Sequence, residues 1–216
     1  MENKNAMVLL SGGLDSAVAA AYLQDKGYAV KAGIFVNRGQ SNYEQEFKAA
    51  QKVSEYLNIP LYNASFSLPD LGKTLSKDMV KKVGIPARNF ILGTLALPYI
   101  FTLDCGMLVL GNITEDVFPD CNPEFRSKFS IAASQALGRE VTVIAPLADW
   151  ENFDKAGEIS YAEVHEYRAL FGMTWTCWRG GEFHCGQCDA CESRKEGFSK
   201  AGVIDPVPYE DKKWIQ

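Results

Sequence analysis

Apolar positions along the chain fall into two rhythms. Five segments read as strands, at residues 6–10 (AMVLL), 29–36 (AVKAGIFV), 60–65 (PLYNAS), 107–111 (MLVLG) and 141–145 (VTVIA). The first is continuously apolar, the pattern of a strand covered on both faces. Segments 14–26, 43–57, 89–104, 127–137 and 160–170 read as helices. In 14–26, Leu14, Ala17, Val18, Ala21 and Tyr22 fall along one side and Gly27 marks the stop. Their alternation predicts an α/β fold, an open five-stranded parallel sheet flanked by helices. Residues 67–84 follow neither rhythm and read as a flap over a site or a surface excursion.

The most apolar stretch, 89–112, is interrupted by Gly93, Pro98, Asp104 and Gly106. It reads as a buried helix followed by a buried strand, and no run reaches the roughly 20 apolar residues that span a bilayer. The apolar run before Ser11 is too short for a signal peptide, so the expected location is cytoplasmic, with no membrane partner. The 216 residues suit one domain with a small appendage. The expected division is 1–170 for the sheet and 171–216 for a cysteine-bearing segment packed on it. A net charge of −5 supplies no global basic field, which argues against a nucleic-acid partner.

The first strand is followed by Ser11-Gly12-Gly13-Leu14-Asp15-Ser16 and then by the first helix. Strand, glycine turn and helix aim free backbone N–H groups and the positive end of a helix at one spot, which suits phosphate. Glycine permits close approach of the backbone. Ser11 and Ser16 add hydroxyl donors, and Asp15 can serve the helix dipole or hold Mg²⁺ beside phosphates. The string is neither GxxxxGK[ST] nor GxGxxG. In an open α/β sheet ligands gather at the carboxyl ends of the strands. The expected composite site therefore joins residues 11–13, 37–40, 111–114 and 146–147.

Cys177, Cys185, Cys188 and Cys191 crowd into fifteen residues, whereas Cys105 and Cys121 stand apart. Two CxxC steps sharing a cysteine, with a loop through Gly180 and Gly181, predict four thiolates around one Zn²⁺. A 4Fe–4S cluster is compatible with the same ligands, and a redox CxxC is the rival reading. Arg179, Arg194 and Lys195 are expected to offset the negative charge of such a site. His184 is not needed as a ligand.

SGGLDS resembles the signature of the PP-loop ATP pyrophosphatases, whose fold is adenine nucleotide alpha hydrolase-like. Together with the cysteine cluster, IPARN (85–89), PDCNPEF (119–125) and CGQCDACESRKEGF, it resembles the 7-cyano-7-deazaguanine (preQ0) synthase family, QueC, over essentially the whole chain. The resemblance implies an AMP-forming C–N ligase that uses ATP, Mg²⁺ and Zn²⁺. In that family ATP adenylates 7-carboxy-7-deazaguanine, ammonia forms the amide, and a second ATP drives dehydration to the nitrile. Ser11, Gly12, Gly13, Leu14, Asp15 and Ser16 would cradle phosphate, with Ser11, Asp15, Ser16 and Arg88 in catalytic roles. Phe35, Val36 and Asn37 would hold adenine, with Gly111 beside them. Arg88, Asn89, Phe118 and Asp120 would bind the substrate; a plain turn role for Asp120 competes. Lys155 reads either as a phosphate neutraliser or as a solvated lysine at a helix start, and the solvated role is the expected one. A homodimer is implied.

Two segments depart from the family pattern. Gly39-Gln40-Ser41-Asn42 lacks a basic residue and a histidine, and the 112–118 loop is shorter and carries Glu115 and Asp116. An alternative is therefore a QueC-like ligase of a bacterial defence system that joins the deazaguanine acid to a protein amine. A tRNA-thiolating PP-loop enzyme and a zinc-stabilised nucleotide-binding adaptor are further readings.

Overall fold

β1 (Asn5–Leu9) runs through the middle of the sheet. β2 (Ala29–Asn37) and then β3 (Leu61–Ser65) lie to one side, and β4 (Met107–Val109) and then β5 (Thr142–Ile144) to the other. The order is β3-β2-β1-β4-β5 and every pairing is parallel. Strand order reverses between β1 and β4, so a crevice opens where β1 ends. The computed structural model describes residues 3–67 and 85–210; the segment 67–84, expected as a flap or a surface excursion, lies outside the described residues except for Ser67.

The pleat of β1 divides the core. Ala6, Val8 and Leu10 face one layer, and Met7 and Leu9 face the other. On the first face lie α1 (Leu14–Asp25) and α2 (Tyr43–Tyr56). On the second lie α3 (Arg88–Thr102) and α4 (Pro123–Leu137). A short α5 (Pro146–Asp149) follows β5, and then α6 (Lys155–Val164), α7 (Ala169–Met173) and α8 (Asp189–Ala201) fold back over the first face. Ile159, Ala162, Leu170, Phe171 and Phe198 from these helices join the core that contains α1. Among the described residues, no helix is long and apolar enough to cross a membrane.

Several sequence expectations are corrected. α1 buries nearly its whole circumference, not one side, because the sheet covers one flank and α5, α6 and α7 cover the other. The helix expected at 160–170 is two helices: α6 begins at Lys155, where Asp154 accepts from Gly157 N at 2.7 Å. It ends before Glu166, which takes a left-handed φ of 65°. α4 starts at Pro123, earlier than the apolar period implies, because Asn122 caps it by accepting from Phe125 N at 2.7 Å. α8 has no counterpart in the expectation. Its polar sequence hides a helix capped by Cys188 at one end and by left-handed Gly202 at the other.

α3 and α4 approach closely at Gly93, where an added Cβ would stand 2.5 Å from Phe129 Cε1. Gly93→Ala should therefore destabilise the fold by about 1–3 kcal/mol in chemical denaturation. Thr94→Ala, on the exposed side of the same helix, should cost less than about 0.5 kcal/mol.

Candidate active site and metal centre

The turn after β1 is built by close backbone contact. Gly12 has φ 81°, and a Cβ there would lie 2.2 Å from Glu46 O of α2. Across the crevice, a Cβ on Gly111 would lie 2.7 Å from both N and Cα of Ser16. Glycine is required at both positions, so β1, β4 and α2 converge on the start of α1. Ser16 Oγ donates to Gly13 O at 3.1 Å and accepts from Ser11 N at 3.2 Å. Ser11 Oγ lies 3.2 Å from Ser16 Oγ and accepts from Gly13 N at 3.3 Å. Ser16 thus braces the turn, while exposed Ser11 stands at its surface. Leu14 buries its side chain in the core and lends the site only its backbone.

Past Ile34, β2 outruns β1: Leu10 N donates to Ile34 O at 2.9 Å, and that ladder ends. Residues of a parallel strand turn their N–H and C=O alternately to each side. Phe35 and Asn37 turn theirs to β3, and Phe66 N donates to Asn37 O at 3.0 Å. Val36 turns its own toward the space beyond β1, beside the glycine turn. The Phe35 ring lies in the core against Tyr43 and Phe47.

Asp15 is one-third exposed, and its Oδ1 accepts from Lys155 Nζ. Burial pushes its pKa up, but the Lys155 charge and the hydrogen bond from Lys155 outweigh that and hold the carboxyl below its ordinary value. Lys155 corrects the solvated role expected for it: its side chain is only 13% exposed and its Nζ lies 2.9 Å from Glu158 Oε1. Burial disfavours its charge, and the two carboxylates more than restore it. Glu158 is fully buried, and burial and the Asp15 charge raise its pKa well above the usual range. Sequence periodicity carried a signal here, because Glu158 interrupts the buried stripe formed with Ile159 and Ala162.

On the other side of the crevice, Arg88 and Asn89 open α3, after Ala87 in a left-handed φ of 55°. Asp120 is buried and its Oδ2 accepts from Asn89 N at 2.7 Å, so one oxygen caps α3. Arg88, Phe118 and Asp120, with Ile85, Pro86 and Phe125, line a cavity of about 260 Å³. Cys121 lies behind it, accepting from Asn89 Nδ2 at 3.1 Å and Asn112 Nδ2 at 3.4 Å. Burial pushes the Cys121 thiol up to about 11, and Asp116 and Asp120 add to the shift. Buried Arg126 binds Asp149 and Cys121 O, which pins the 119–121 turn to α5. In the acidic 112–118 loop, Asp116 Oδ2 accepts from Ile113 N and Asn112 Nδ2, both at 3.1 Å. Burial and the nearby Asp15 charge raise its pKa.

Cys177, Cys185, Cys188 and Cys191 bring their sulfurs within 4.8 Å of one another. Four sulfurs at 2.3 Å from a tetrahedral centre stand about 3.8 Å apart. The cluster therefore fits a metal ion. Arg179 N and Cys185 N donate to Cys177 Sγ at 3.3 and 3.4 Å, and Gln187 N donates to Cys185 Sγ at 3.4 Å. His184 is not a member. Its Nε2 accepts from Thr176 N at 3.1 Å, and burial and the Arg194 charge lower its pKa to about 4. Arg194 does not face the thiolates as expected. It is fully buried and pairs through two nitrogens with Asp205, at 2.9 and 3.0 Å, tying α8 to the following segment.

The cysteine segment sits directly behind the glycine turn. Trp175 N donates to Gly12 O at 2.9 Å, and Asn42 Nδ2 donates to Cys177 O at 2.8 Å. Gln45 Nε2 donates to Gly181 O at 3.1 Å. Arg38, Gln40 and Asn42 all converge on the Glu46 carboxylate. The segment that departs from the family pattern is thus a brace between β2, α2 and the cysteines.

A Ser-Gly-Gly-Leu-Asp-Ser turn without a Walker lysine, at the switch point of a 3-2-1-4-5 parallel sheet, together with the relatives below places the molecule among the PP-loop enzymes. Within that class the chain belongs to the QueC family, whose model, queuosine biosynthesis protein QueC, matches residues 5–202. The chain is 29% identical to the 7-cyano-7-deazaguanine synthase of Haloarcula marismortui, over 98% of this chain and 97% of that one. It is 32% identical to the 7-cyano-7-deazaguanine synthase of Acetivibrio thermocellus, over 97% and 99% of the two chains. Among solved structures, the U34-tRNA thiolase NcsA of Methanococcus maripaludis is similar with a TM-score of 0.47 and 17% identity, covering 100% of this chain and 77% of that one.

Elemental analysis of the purified protein should find about one metal ion per chain, as a Cys₄ centre requires. Cys188→Ser should lose the metal and lower the melting temperature, and Cys121→Ser should keep the metal.

Proposed function

We propose that this protein converts 7-carboxy-7-deazaguanine and ammonia to 7-cyano-7-deazaguanine, with two ATP cleaved to AMP and pyrophosphate. The family match over 5–202 and the full-length relatives named 7-cyano-7-deazaguanine synthase support the product. One observation supports the site: Asn112 donates both to Cys121, next to the cavity residue Asp120, and to Asp116, whose carboxyl feels the Asp15 charge, so the cavity bearing Arg88 and Asp120 and the first turn of α1 are joined through the 112–121 segment.

Adenine meets the outward N–H and C=O of Val36. The phosphates meet the N–H groups of residues 12–16 at the start of α1. Lys155 turns one N–H to the polyphosphate. Mg²⁺ would be held by Asp15, a hard oxygen donor fitting that ion, and would neutralise charge developing on pyrophosphate. The Arg88 guanidinium holds the substrate carboxylate against the α-phosphate. Asp120 keeps Oδ2 on Asn89 N, and its Oδ1 accepts from the amidine edge of the deazaguanine.

In the first round a carboxylate oxygen attacks the α-phosphorus and pyrophosphate leaves. Ammonia adds to the acyl carbon and AMP departs with the original oxygen, giving the amide. In the second round the amide oxygen attacks the α-phosphorus of a second ATP and pyrophosphate leaves; the adenylated imidate then loses both N–H protons and AMP, which leaves the nitrile. AMP is a good leaving group where oxide is not, which is the reason for adenylation. Zn²⁺ is the metal proposed for Cys177, Cys185, Cys188 and Cys191, in a closed structural role.

With 7-carboxy-7-deazaguanine, ammonium and excess Mg·ATP, mass spectrometry should show the nitrile, with two AMP formed for each. ADP as the main nucleotide product, or product stalled at the amide after one AMP, would overturn the reading. Asp15→Ala should abolish turnover. Arg88→Ala should raise the KM for the acid by on the order of tenfold or more, the weight of a lost charge-assisted hydrogen bond.

A further inference from the structure

Glu158 takes no part in the chemistry above, yet it is the most demanding residue near the crevice. Its carboxyl is fully buried, and neither oxygen receives a hydrogen bond of good geometry among the described residues. Lys155 Nζ lies 2.9 Å from Oε1. A buried acid set against a buried ammonium is a poor way to stabilise a fold, because an apolar residue of similar volume does as well or better. The pair therefore calls for a reason other than stability.

The same lysine is seated from a second side. Gly197 of α8 lies against its aliphatic stem, where an added Cβ would stand 2.2 Å from Lys155 Cγ and 3.0 Å from Lys155 Cβ. α8 is the helix whose first turn carries Cys191 and whose cap is Cys188. The backbone of the cysteine segment thus shapes the slot in which Lys155 lies.

We infer that Glu158 and Gly197 are positioning residues for Lys155, holding its ammonium at the mouth of the PP-loop so that it meets the polyphosphate of the nucleotide. The inference rests on reading residues 11–16 as the ATP site. An ammonium has three N–H donors. One goes to Asp15, and Glu158 holds the ammonium by proximity at 2.9 Å and not by an aligned hydrogen bond, which leaves donors for phosphate. The two carboxylates are unequal: Asp15 is 34% exposed and Glu158 is 0% exposed. The Asp15 contact is open to exchange when a nucleotide arrives, and the Glu158 contact keeps the lysine in place while Asp15 is released. Gly197 sets the height of the stem, and the carboxyl sets the direction of its tip.

The test is the affinity for α,β-methylene-ATP with Mg²⁺, measured by calorimetry on the full chain in wild type, Glu158→Met, Glu158→Gln, Gly197→Ala and Lys155→Met. Glu158→Met should melt no lower than wild type and yet bind about tenfold more weakly, the scale of a lost charged contact. Glu158→Gln keeps an acceptor oxygen and should recover most of that loss. Gly197→Ala should weaken binding by a similar factor. On a Lys155→Met background both substitutions should change affinity by less than about twofold, because their effect passes through the lysine. Wild-type affinity in Glu158→Met and Gly197→Ala, or undiminished losses on the Lys155→Met background, would overturn the inference while leaving the ATP site standing. Failure of the wild type to bind the analogue would overturn the ATP reading and this inference with it.

Discussion

The closeness of backbone to backbone at the end of β1 is the constraint on which the molecule turns. Gly12 touches α2, Gly111 touches the first turn of α1, and neither position has room for a Cβ. Because the strands and α2 come this near, the N–H groups at the start of α1 and those of Val36 share one crevice. An anion bound there would meet donors that are already fixed, so little ordering would remain to be done. The same approach leaves the turn thin, and it needs support from behind.

That support comes from the cysteine segment. Trp175 and Cys177 are bonded to Gly12 and Asn42 through single hydrogen bonds, and the four thiolates gather the segment around one point. α8 then runs from the cysteine cluster back to α6, where Gly197 meets Lys155. Arg194 and Asp205 lock the far side of the same helix in a buried pair. The cysteine cluster is thereby joined to the crevice by two routes, one through the backbone of the turn and one through the lysine. Two further charge contacts join elements that are distant in sequence, Arg126 of α4 on Asp149 of α5 and Lys155 of α6 on Asp15 of α1.

Much of this was legible from residues alone because it is local. The five strands, the glycine turn and the helix after it are set by short-range periodicity and by glycine, and the strand positions agree closely with the expected ones. The four cysteines declare themselves by spacing, and their sulfurs do converge. Helix starts were less legible where a polar cap decided them, as at Asn122 and Asp154, since the apolar period begins a turn or more later. α8 escaped because its first turn is made of ligand-type residues and its buried face is narrow.

What the sequence by itself determined is the parallel α/β sheet, the glycine turn after its first strand and the gathering of four cysteines, each written in nearby residues whose chemistry does not depend on distant neighbours. What the tertiary structure decided is which charges meet. Lys155 reads as a solvated lysine until α1 brings Asp15 to it, α6 buries Glu158 beside it and α8 closes over its stem. Asp120 reads as a turn residue or a ligand until α3 places Asn89 N on one of its oxygens. Long-range pairing of this kind leaves no period in the sequence, because burial and Coulomb attraction act through space and not along the chain.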